Sequence, residues 1–119
     1  MSRAINRLVA IEVLGKAPCG DRSMVADGSG LMGYTCPDYA GNPFYWDQVI
    51  RHHATGYVEI HNGWGERDGE RVGGWKCRIV VPGGEGEARE PTIGMAVCIA
   101  ALRAVGVAED EIEKTRGKA

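Results

Sequence analysis

The sequence predicts one α+β domain in which a small, mainly antiparallel sheet is flanked by helices, in the order αβαββα. Apolar residues recur at helical spacing in residues 3–15, 43–56 and 93–106. They alternate with polar residues, as in half-buried strands, at 57–61 and 75–81, and in the second of these strands the alternation predicts that Lys76 and Arg78 point outward. The chain has 119 residues, the length of a single domain. The predicted core comprises Leu8, Val9, Val49, Ile50, Ile79, Val81, Val97 and Leu102.

The N-terminal third is predicted to be one helix followed by a long irregular stretch. Ser2 can cap the helix over residues 3–15, and Gly15 is a typical C-terminal stop. Residues 16–43 are rich in Gly, Pro, Asp and Asn, which is typical of loops. Within them only residues 31–34 have the composition of a strand, the first of the predicted order.

The middle of the chain is predicted to be a helix, two strands and two loops. The helix begins at Asn42-Pro43, because Asn is a preferred N-cap and Pro is tolerated at the first helical position, and it ends at Gly56. Residues 62–74 contain five glycines and five charged residues. This composition predicts a flexible loop, too long for a tight turn, between the two strands. Residues 82–87 predict a second mobile loop.

The third helix is apolar almost all round over residues 93–102, so it must be covered on more than one side. We expect a homo-oligomer that uses this helix or residues 107–119. The alternative is a monomer in which the sheet and the first helix cover it completely. The domain is assigned to residues 1–106. The tail forms a short helix or frays, because its acidic residues precede its basic ones but Ile112 is its only strongly apolar residue.

Composition and charge exclude several classes of protein. Hydrophobic residues make up 44% and charged residues 25%, which excludes overall disorder. The net charge of −2 lacks the basic excess of a protein that binds duplex nucleic acid. The longest apolar run, 93–102, is half of what a membrane crossing requires, and no secretory signal is recognisable at the start. We therefore expect a cytoplasmic protein that binds no membrane.

No recognised catalytic or metal-binding motif is present in the sequence. The four cysteines are at least 17 positions apart, so the C-x-x-C pair of most small zinc sites is absent. The serines lack the pattern of a nucleophile elbow. A Cys–His pair between Cys36 and His52 or His53 is conceivable, but the spacing does not require it. We expect a protein that is not an enzyme and that has no catalytic residue, metal or cofactor.

Aromatic and arginine residues offer the chemistry that binds a nucleotide. Trp64 lies between two glycines in the predicted loop, where a large aromatic suits contact with a ligand or partner. Trp75 offers a second ring, and stacking contributes ~1–3 kcal/mol per base. Phosphates favour the planar fork of arginine. The candidate ligand-binding arginines are Arg51, Arg78, Arg89 and Arg103. The alternative is that the tryptophans belong to the core and the arginines to an ordinary surface.

Four segments of the chain resemble small phage proteins with an α-β-α (ABA) sandwich domain. They are the opening helix RAINRLVAIEVLG (3–15), the proline–tyrosine loop PDYAGNPFYW (37–46), the strand from Trp75, and the closing helix PTIGMAVCIAALRAVG (91–106). The resemblance covers most of the chain in the same order. It implies a phage or prophage origin and the sandwich fold, but no activity. The glycine-rich insert at 62–74 departs from the family's pattern.

A more remote likeness is to viral sponge proteins that sequester the cyclic nucleotide signals of bacterial anti-phage defence, of the Thoeris type. It concerns size, context and residue types, because those proteins are small oligomers that hold their ligand with arginines and an aromatic ring. It implies a non-enzymatic phage accessory protein that sequesters a small anionic nucleotide in the host cytosol. The alternative function is an oligomeric interaction module that binds a host or phage protein.

Overall fold

The computed structural model describes residues 3–18, 24–26, 34–52, 56–67 and 69–115. The helices are α1 (Arg3–Leu8), which continues as a π-helical segment (Val9–Val13), α2 (Pro43–His52), α3 (Ile93–Ala104) and α4 (Glu109–Thr115). The strands are β1 (Ala17–Pro18), β2 (Met24–Ala26), β3 (Tyr34–Thr35), β4 (Tyr57–Arg67), β5 (Glu70–Val81) and β6 (Gly84–Glu90).

Helix α3 is the centre of the fold. It packs against β5 and β6 on one side and against α1, the π-helical segment, α2 and α4 on the other. Nine of its 12 residues are buried. The prediction that this helix is covered on more than one side is confirmed. Because a single chain supplies that cover, the apolar surface of α3 is no longer an argument for an oligomer. Within the described residues, no helix is long and apolar enough to cross a membrane.

The predicted core residues surround α3. Five of them are fully buried: Val9, Val49, Ile79, Val97 and Leu102. The other three are partly buried and pack against that core: Leu8, Ile50 and Val81. Apolar periodicity therefore identified the buried faces of the first two helices, of β5 and of α3.

The main sheet has the strand order β4-β5-β6, with both neighbouring pairs antiparallel. Alternation along β5 directs Cys77 and Ile79, both fully buried, toward α3 and leaves Lys76 and Arg78 on the opposite side. The predicted α+β class, with a small antiparallel sheet flanked by helices, is confirmed. A second small antiparallel sheet, β1-β2-β3, lies in the region for which we predicted only one strand.

The prediction of a flexible loop at residues 62–74 is wrong. Strands β4 and β5 continue to pair through this region, from Asn62 opposite Trp75 to Arg67 opposite Glu70. Gly69 has a φ of 81°, a left-handed conformation that tight hairpin turns use and glycine adopts without strain. The dipeptide Asp68-Gly69 is a strong hairpin signal and could have predicted this turn.

The prediction of a mobile loop at residues 82–87 is also wrong, because β6 begins at Gly84. A Cβ atom at Gly84 would meet the backbone carbonyl of Ala104, and one at Gly86 would meet that of Ala100. Helix α3 therefore lies directly on the backbone of β6. The strand contains no large apolar residue, so it lacks the alternation by which strands are recognised in sequence.

The first helix occupies the predicted place but changes its hydrogen-bonding pattern. From Val9 the ladder is π-helical, and the Leu14 N–H donates to the Val9 carbonyl five residues earlier, at 3.1 Å. The second helix begins as predicted, with the Asn42 side chain accepting from the Phe44 N–H at 3.0 Å. Ser2, residues 31–33 and His53 lie outside the described residues.

The tail contains the helix α4, which packs against α1 and α3. Ile112 is fully buried and anchors the helix. Its first turn contains three acidic residues and its last turn contains Lys114, a distribution that the helix dipole favours.

Candidate functional site

The side of the main sheet that faces away from α3 presents a regular array of polar side chains, which we call the outer face. In an antiparallel sheet, paired residues project to the same side, so strand register groups these residues into rows. The three rows across β4, β5 and β6 are Tyr57–Val80–Glu85, Glu59–Arg78–Glu87 and His61–Lys76–Arg89.

The outer face is open to solvent. The side chains of six of its charged and histidine residues retain between 35% and 61% exposure. Tyr57 is half exposed, although tyrosine carries a large apolar ring. The helix that packs on the sheet, α3, lies on the other side of it, where Cys77 and Ile79 are buried. The outer face is therefore available to a binding partner along three strands.

Opposite charges alternate on this face and form exposed ion pairs. Lys76 Nζ lies 2.8 Å from Glu87 Oε2, and Arg78 Nε donates to Glu85 Oε2 at 2.7 Å. The Arg78 guanidinium thereby lowers the pKa of the Glu85 carboxyl. Exposed pairs of this kind contribute about 0–1 kcal/mol each, so a partner's charges can replace them at little cost.

The two ends of the outer face differ in charge. His61, Lys76 and Arg89 form one row, whereas Glu85 lies two rows away beside Val80 and Tyr57. Arg89 reaches across β5, where its Nη1 donates to the carbonyl of Gly63 at 3.3 Å. At the edge of the face, His61 Nε2 lies 3.0 Å from Glu59 Oε2, and this contact is the main cause of the lowered pKa of Glu59.

Two of the predicted arginines lie elsewhere in the fold. Arg51 is on α2, where its exposed Nε donates to Asp47 at 2.6 Å. Arg103 is at the end of α3, where Nε and Nη2 donate to the Glu109 carboxylate at 2.8 and 3.0 Å. Its Nη1 donates to the Glu87 carbonyl at 2.7 Å. Arg103 thus joins α3, β6 and α4, which is a structural arrangement.

The predicted ligand-binding residues are therefore brought together only in part. Arg78 and Arg89 share the outer face. Trp75 is partly buried and packs against the core at the end of β5 that carries the hairpin extension. Trp64 is in β4 opposite Gly73, and its side chain lies outside the description. Lys76 also lies on the outer face, but it is not among the predicted ligand-binding residues. Its position two residues before Arg78 in an alternating strand indicated that both side chains share one charged face.

The three thiols within the described residues, those of Cys36, Cys77 and Cys98, lack the properties of activated nucleophiles. Burial raises the pKa of Cys36 to about 11 and that of Cys77 to about 12. Burial also raises the pKa of Cys98. All three are protonated at neutral pH, whereas the thiolate is the reactive form and the metal ligand. Across the described ranges, no three His, Cys, Asp or Glu side chains are grouped so that they could hold a metal ion.

A second polar cluster joins α1 to the proline–tyrosine loop. Asn6 is only 7% exposed; its Nδ2 donates to Asp38 Oδ1 at 2.9 Å, and its Oδ1 accepts from the Ala40 N–H at 2.9 Å. Asp38 Oδ1 also accepts from the Gly41 N–H at 3.1 Å. These bonds satisfy the amide of Asn6 on both sides, so the cluster explains the placement of the loop and not a ligand site.

Comparison with known proteins supports the fold. No model of a known protein family matches the chain, and no curated protein matches its sequence. A crystal structure of a phage protein from Bacillus cereus ATCC 14579 superposes with a TM-score of 0.65 and 22% sequence identity, covering 90% of this chain and 89% of that one. At this identity, the similarity shows a shared fold. Membership of the ABA sandwich family and the relation to sponge proteins stay predictions.

Proposed function

We propose that this protein is a non-enzymatic phage accessory protein that binds a host or phage protein through the outer face of its sheet. The observation that carries the proposal is the open array of alternating charges on β4, β5 and β6. The phage assignment is supported by the fold that the chain shares with the Bacillus cereus phage protein.

The shape and charge of the outer face favour a protein as the partner. Sites for small molecules are usually concave and mostly apolar, whereas this face is a sheet surface with charged side chains on all three strands. Interleaved charges provide specificity and rapid association, because only a partner with the complementary pattern avoids like-charge contacts. The exposed ring of Tyr57 adds the kind of aromatic contact that is enriched at interfaces.

The non-enzymatic part of the proposal is supported by the state of the candidate nucleophiles. The pKa values of Cys36 and Cys77, about 11 and about 12, keep both thiols protonated at neutral pH. The acidic and basic groups of the outer face are exposed ion pairs, and catalytic acids and bases generally owe their altered pKa values to partial burial.

The test combines affinity capture with charge reversal on the outer face. Wild-type protein and the double variant Lys76→Glu/Arg78→Glu are used to capture proteins from host cells with and without phage. Lys114→Glu is the matched control, because its side chain is 77% exposed on α4. The expected result is a partner that wild type and the control retain and that the double variant loses, with binding weakened by added salt. A purified partner that binds all three proteins equally would contradict the proposal.

A small anionic nucleotide is the second candidate ligand. The specific observation in its favour is that Lys76, Arg78 and Arg89 share the outer face with the half-exposed ring of Tyr57. Cations recognise phosphate, and an exposed ring can stack on a base. In this function the protein would sequester a nucleotide signal of host anti-phage defence.

Thermal unfolding distinguishes the two ligands. The melting temperature is measured in the presence of cyclic dinucleotides, cyclic trinucleotides and ADP-ribose derivatives, each added separately. A ligand present at 100 times its dissociation constant stabilises the folded protein by about 2.7 kcal/mol, which raises the melting temperature by several degrees. Arg78→Ala should abolish the shift, and heating the complex should release the ligand unchanged. If no nucleotide shifts the melting curve, the nucleotide function is wrong and the protein partner stands.

A further inference from the structure

The basic end of the outer face has different neighbours on its two sides. We call this row, which consists of His61, Lys76 and Arg89, the basic row. On one side lies the middle row of the outer face, which carries two glutamates. On the other side lies the pair Gly63–Gly74, which presents no side chain. An anion that arrives from the glycine side therefore reaches the basic row before it reaches those glutamates.

The fold gives no packing reason for glycine at position 63. Gly63 lies inside β4, where glycine weakens a strand. A Cβ atom there would meet nothing within 4 Å, and the residue does not have the positive φ that favours glycine. Gly74 differs, because its φ is 142° and a Cβ would meet the Glu90 carbonyl. Glycine within a strand often marks a place where a ligand or another backbone approaches closely. Gly63 therefore leaves an open space beside the basic row.

The side chains of the basic row border this space and are accessible. Arg89 Nη1 donates to the Gly63 carbonyl at 3.3 Å, which places the guanidinium next to the open position. The Lys76 side chain is 38% exposed, and its ion pair with Glu87 is exposed as well. A carboxylate from a partner can replace Glu87 at little cost, because exposed pairs contribute little to stability.

The width of the basic row indicates the kind of anion that fits it. Its three side chains come from three adjacent strands, so the row spans two interstrand spacings, about 10 Å. This distance is too wide for a single phosphate or carboxylate to contact the whole row. Several carboxylates distributed along one segment of a protein match it.

We propose that the partner of the outer face presents an acidic segment to the basic row, and that this segment lies over Gly63 and Gly74. The inference rests on the proposed function and names the chemistry of its partner. The opposite end of the face carries Glu85 beside Val80 and Tyr57, so an acidic segment is repelled there. The difference between the two ends thereby fixes the orientation in which the partner binds.

Titration with short peptides, followed in amide NMR spectra of the full chain, tests the proposal. Hexaglutamate represents the acidic segment, hexaglutamine is the uncharged control of the same length, and inorganic phosphate represents a single anion. Hexaglutamate should shift the amide signals of the basic row and of Gly63 until they saturate, whereas the other two should not. Lys76→Glu should weaken this binding about tenfold, because a repulsion replaces an attraction. Lys114→Glu on α4 is the matched control and should bind as wild type does.

A substitution at Gly63 tests the position of the segment. Gly63→Asp places a carboxylate in the open space, where it competes with the peptide for the basic row. Gly63→Asn is the control of the same size without the charge. Both variants should fold, since a Cβ at this position meets nothing within 4 Å. Hexaglutamate should bind Gly63→Asp several-fold more weakly than Gly63→Asn.

Three results would overturn the proposal: hexaglutamate that leaves the basic row unaffected, phosphate that shifts the same signals equally, or equal binding by the two Gly63 variants. The proposed function is tested separately by the capture experiment. A captured partner that hexaglutamate displaces supports both proposals. A captured partner that needs the outer face but that hexaglutamate does not displace contacts its other rows, so the acidic segment would be wrong and the proposed function would stand.

Discussion

Strands β5 and β6 lie side by side on helix α3, yet they meet it in opposite ways. Strand β5 presents large side chains, of which Cys77 and Ile79 are fully buried. Strand β6 presents Gly84, Gly86 and Ala88, and the backbone of α3 lies against its glycines. Burial can therefore come from side chains that fill space or from backbones that approach closely. Only the first produces the apolar alternation that is visible in a sequence.

Shortening a large side chain of β5 should have the largest effect on stability. Ile79→Ala removes a fully buried side chain and leaves a cavity against α3, so it should lower the free energy of unfolding by about 2–5 kcal/mol in urea titration. Val80→Ala is the matched control, because Val80 is the next residue and projects to the outer face. Equal losses in the two variants would show that the strand does not separate a core side from a solvent side.

Enlarging a small residue of β6 should produce the opposite defect. The Cβ of Gly86→Ala would meet the Ala100 carbonyl and lie 2.8 Å from the Arg103 Cβ, so α3 must move. Overpacking of this kind costs about 1–3 kcal/mol. Gly63→Ala is the control, because a Cβ there meets nothing within 4 Å and the change should be neutral or slightly stabilising. A neutral Gly86→Ala would contradict the close approach of α3 to β6.

Replacing Arg103 tests the polar contacts that connect β6 to α3. Arg103→Ala removes the bidentate contact with Glu109 and the bond to the Glu87 carbonyl. The expected loss is about 1–2 kcal/mol of unfolding free energy, measured by urea titration at low salt, because these are charge-assisted bonds on a partly buried side chain. Lys114→Ala, whose ion pair with Glu111 is exposed and 3.5 Å long, should change stability by less than about 0.5 kcal/mol. Equal effects would indicate that Arg103 does not join the elements.

The smallest expected effect concerns the ion pairs between β5 and β6 on the outer face. Because Arg78 lowers the pKa of Glu85 in the folded protein, this pair stabilises the fold above the ordinary carboxyl pKa of 4.5. That contribution is lost as the pH falls through the lowered value. In Arg78→Ala, carboxyl NMR titration should show the pKa of Glu85 returning toward 4.5. The pKa of Glu59 should rise less than that of Glu85, since His61 is the main cause of its lowered value and Arg78 a minor one. An unchanged Glu85 would show that the ion pair does not persist in solution.

The same contrast explains which parts of the fold could be predicted. The apolar run of α3 and the alternation of β5 each identified a buried face, because both depend on large side chains. The glycines at the start of β6 favour the prediction of a loop at residues 82–87, since glycine is common both in loops and wherever two backbones touch. The five glycines of residues 62–74 favour a flexible loop by composition, whereas the dipeptide Asp68-Gly69 indicates the hairpin that the structure contains.

The candidate site was predictable to a smaller extent. Alternation in β5 placed Lys76 and Arg78 on the outer side of the sheet before their partners were known. The partners, Glu85 and Glu87, come from a segment that was not predicted to be a strand. Arg103 has the same residue type as Arg78, but its fork is occupied by Glu109 and a backbone carbonyl. Residue type indicates what a side chain can bind, and the fold decides whether its donors are directed into the protein or toward solvent.

The sequence by itself determined the α+β class, the central position of α3, and the division of β5 into a core side and a charged side. Those features follow from how apolar and polar residues alternate along neighbouring positions of one chain. Tertiary structure alone decided that β6 exists, that α3 is covered within a single chain, and that Arg78 and Arg89 share a face while Arg51 and Arg103 do not. These features depend on contacts between distant segments, where a glycine or an arginine acquires its role from what lies opposite it.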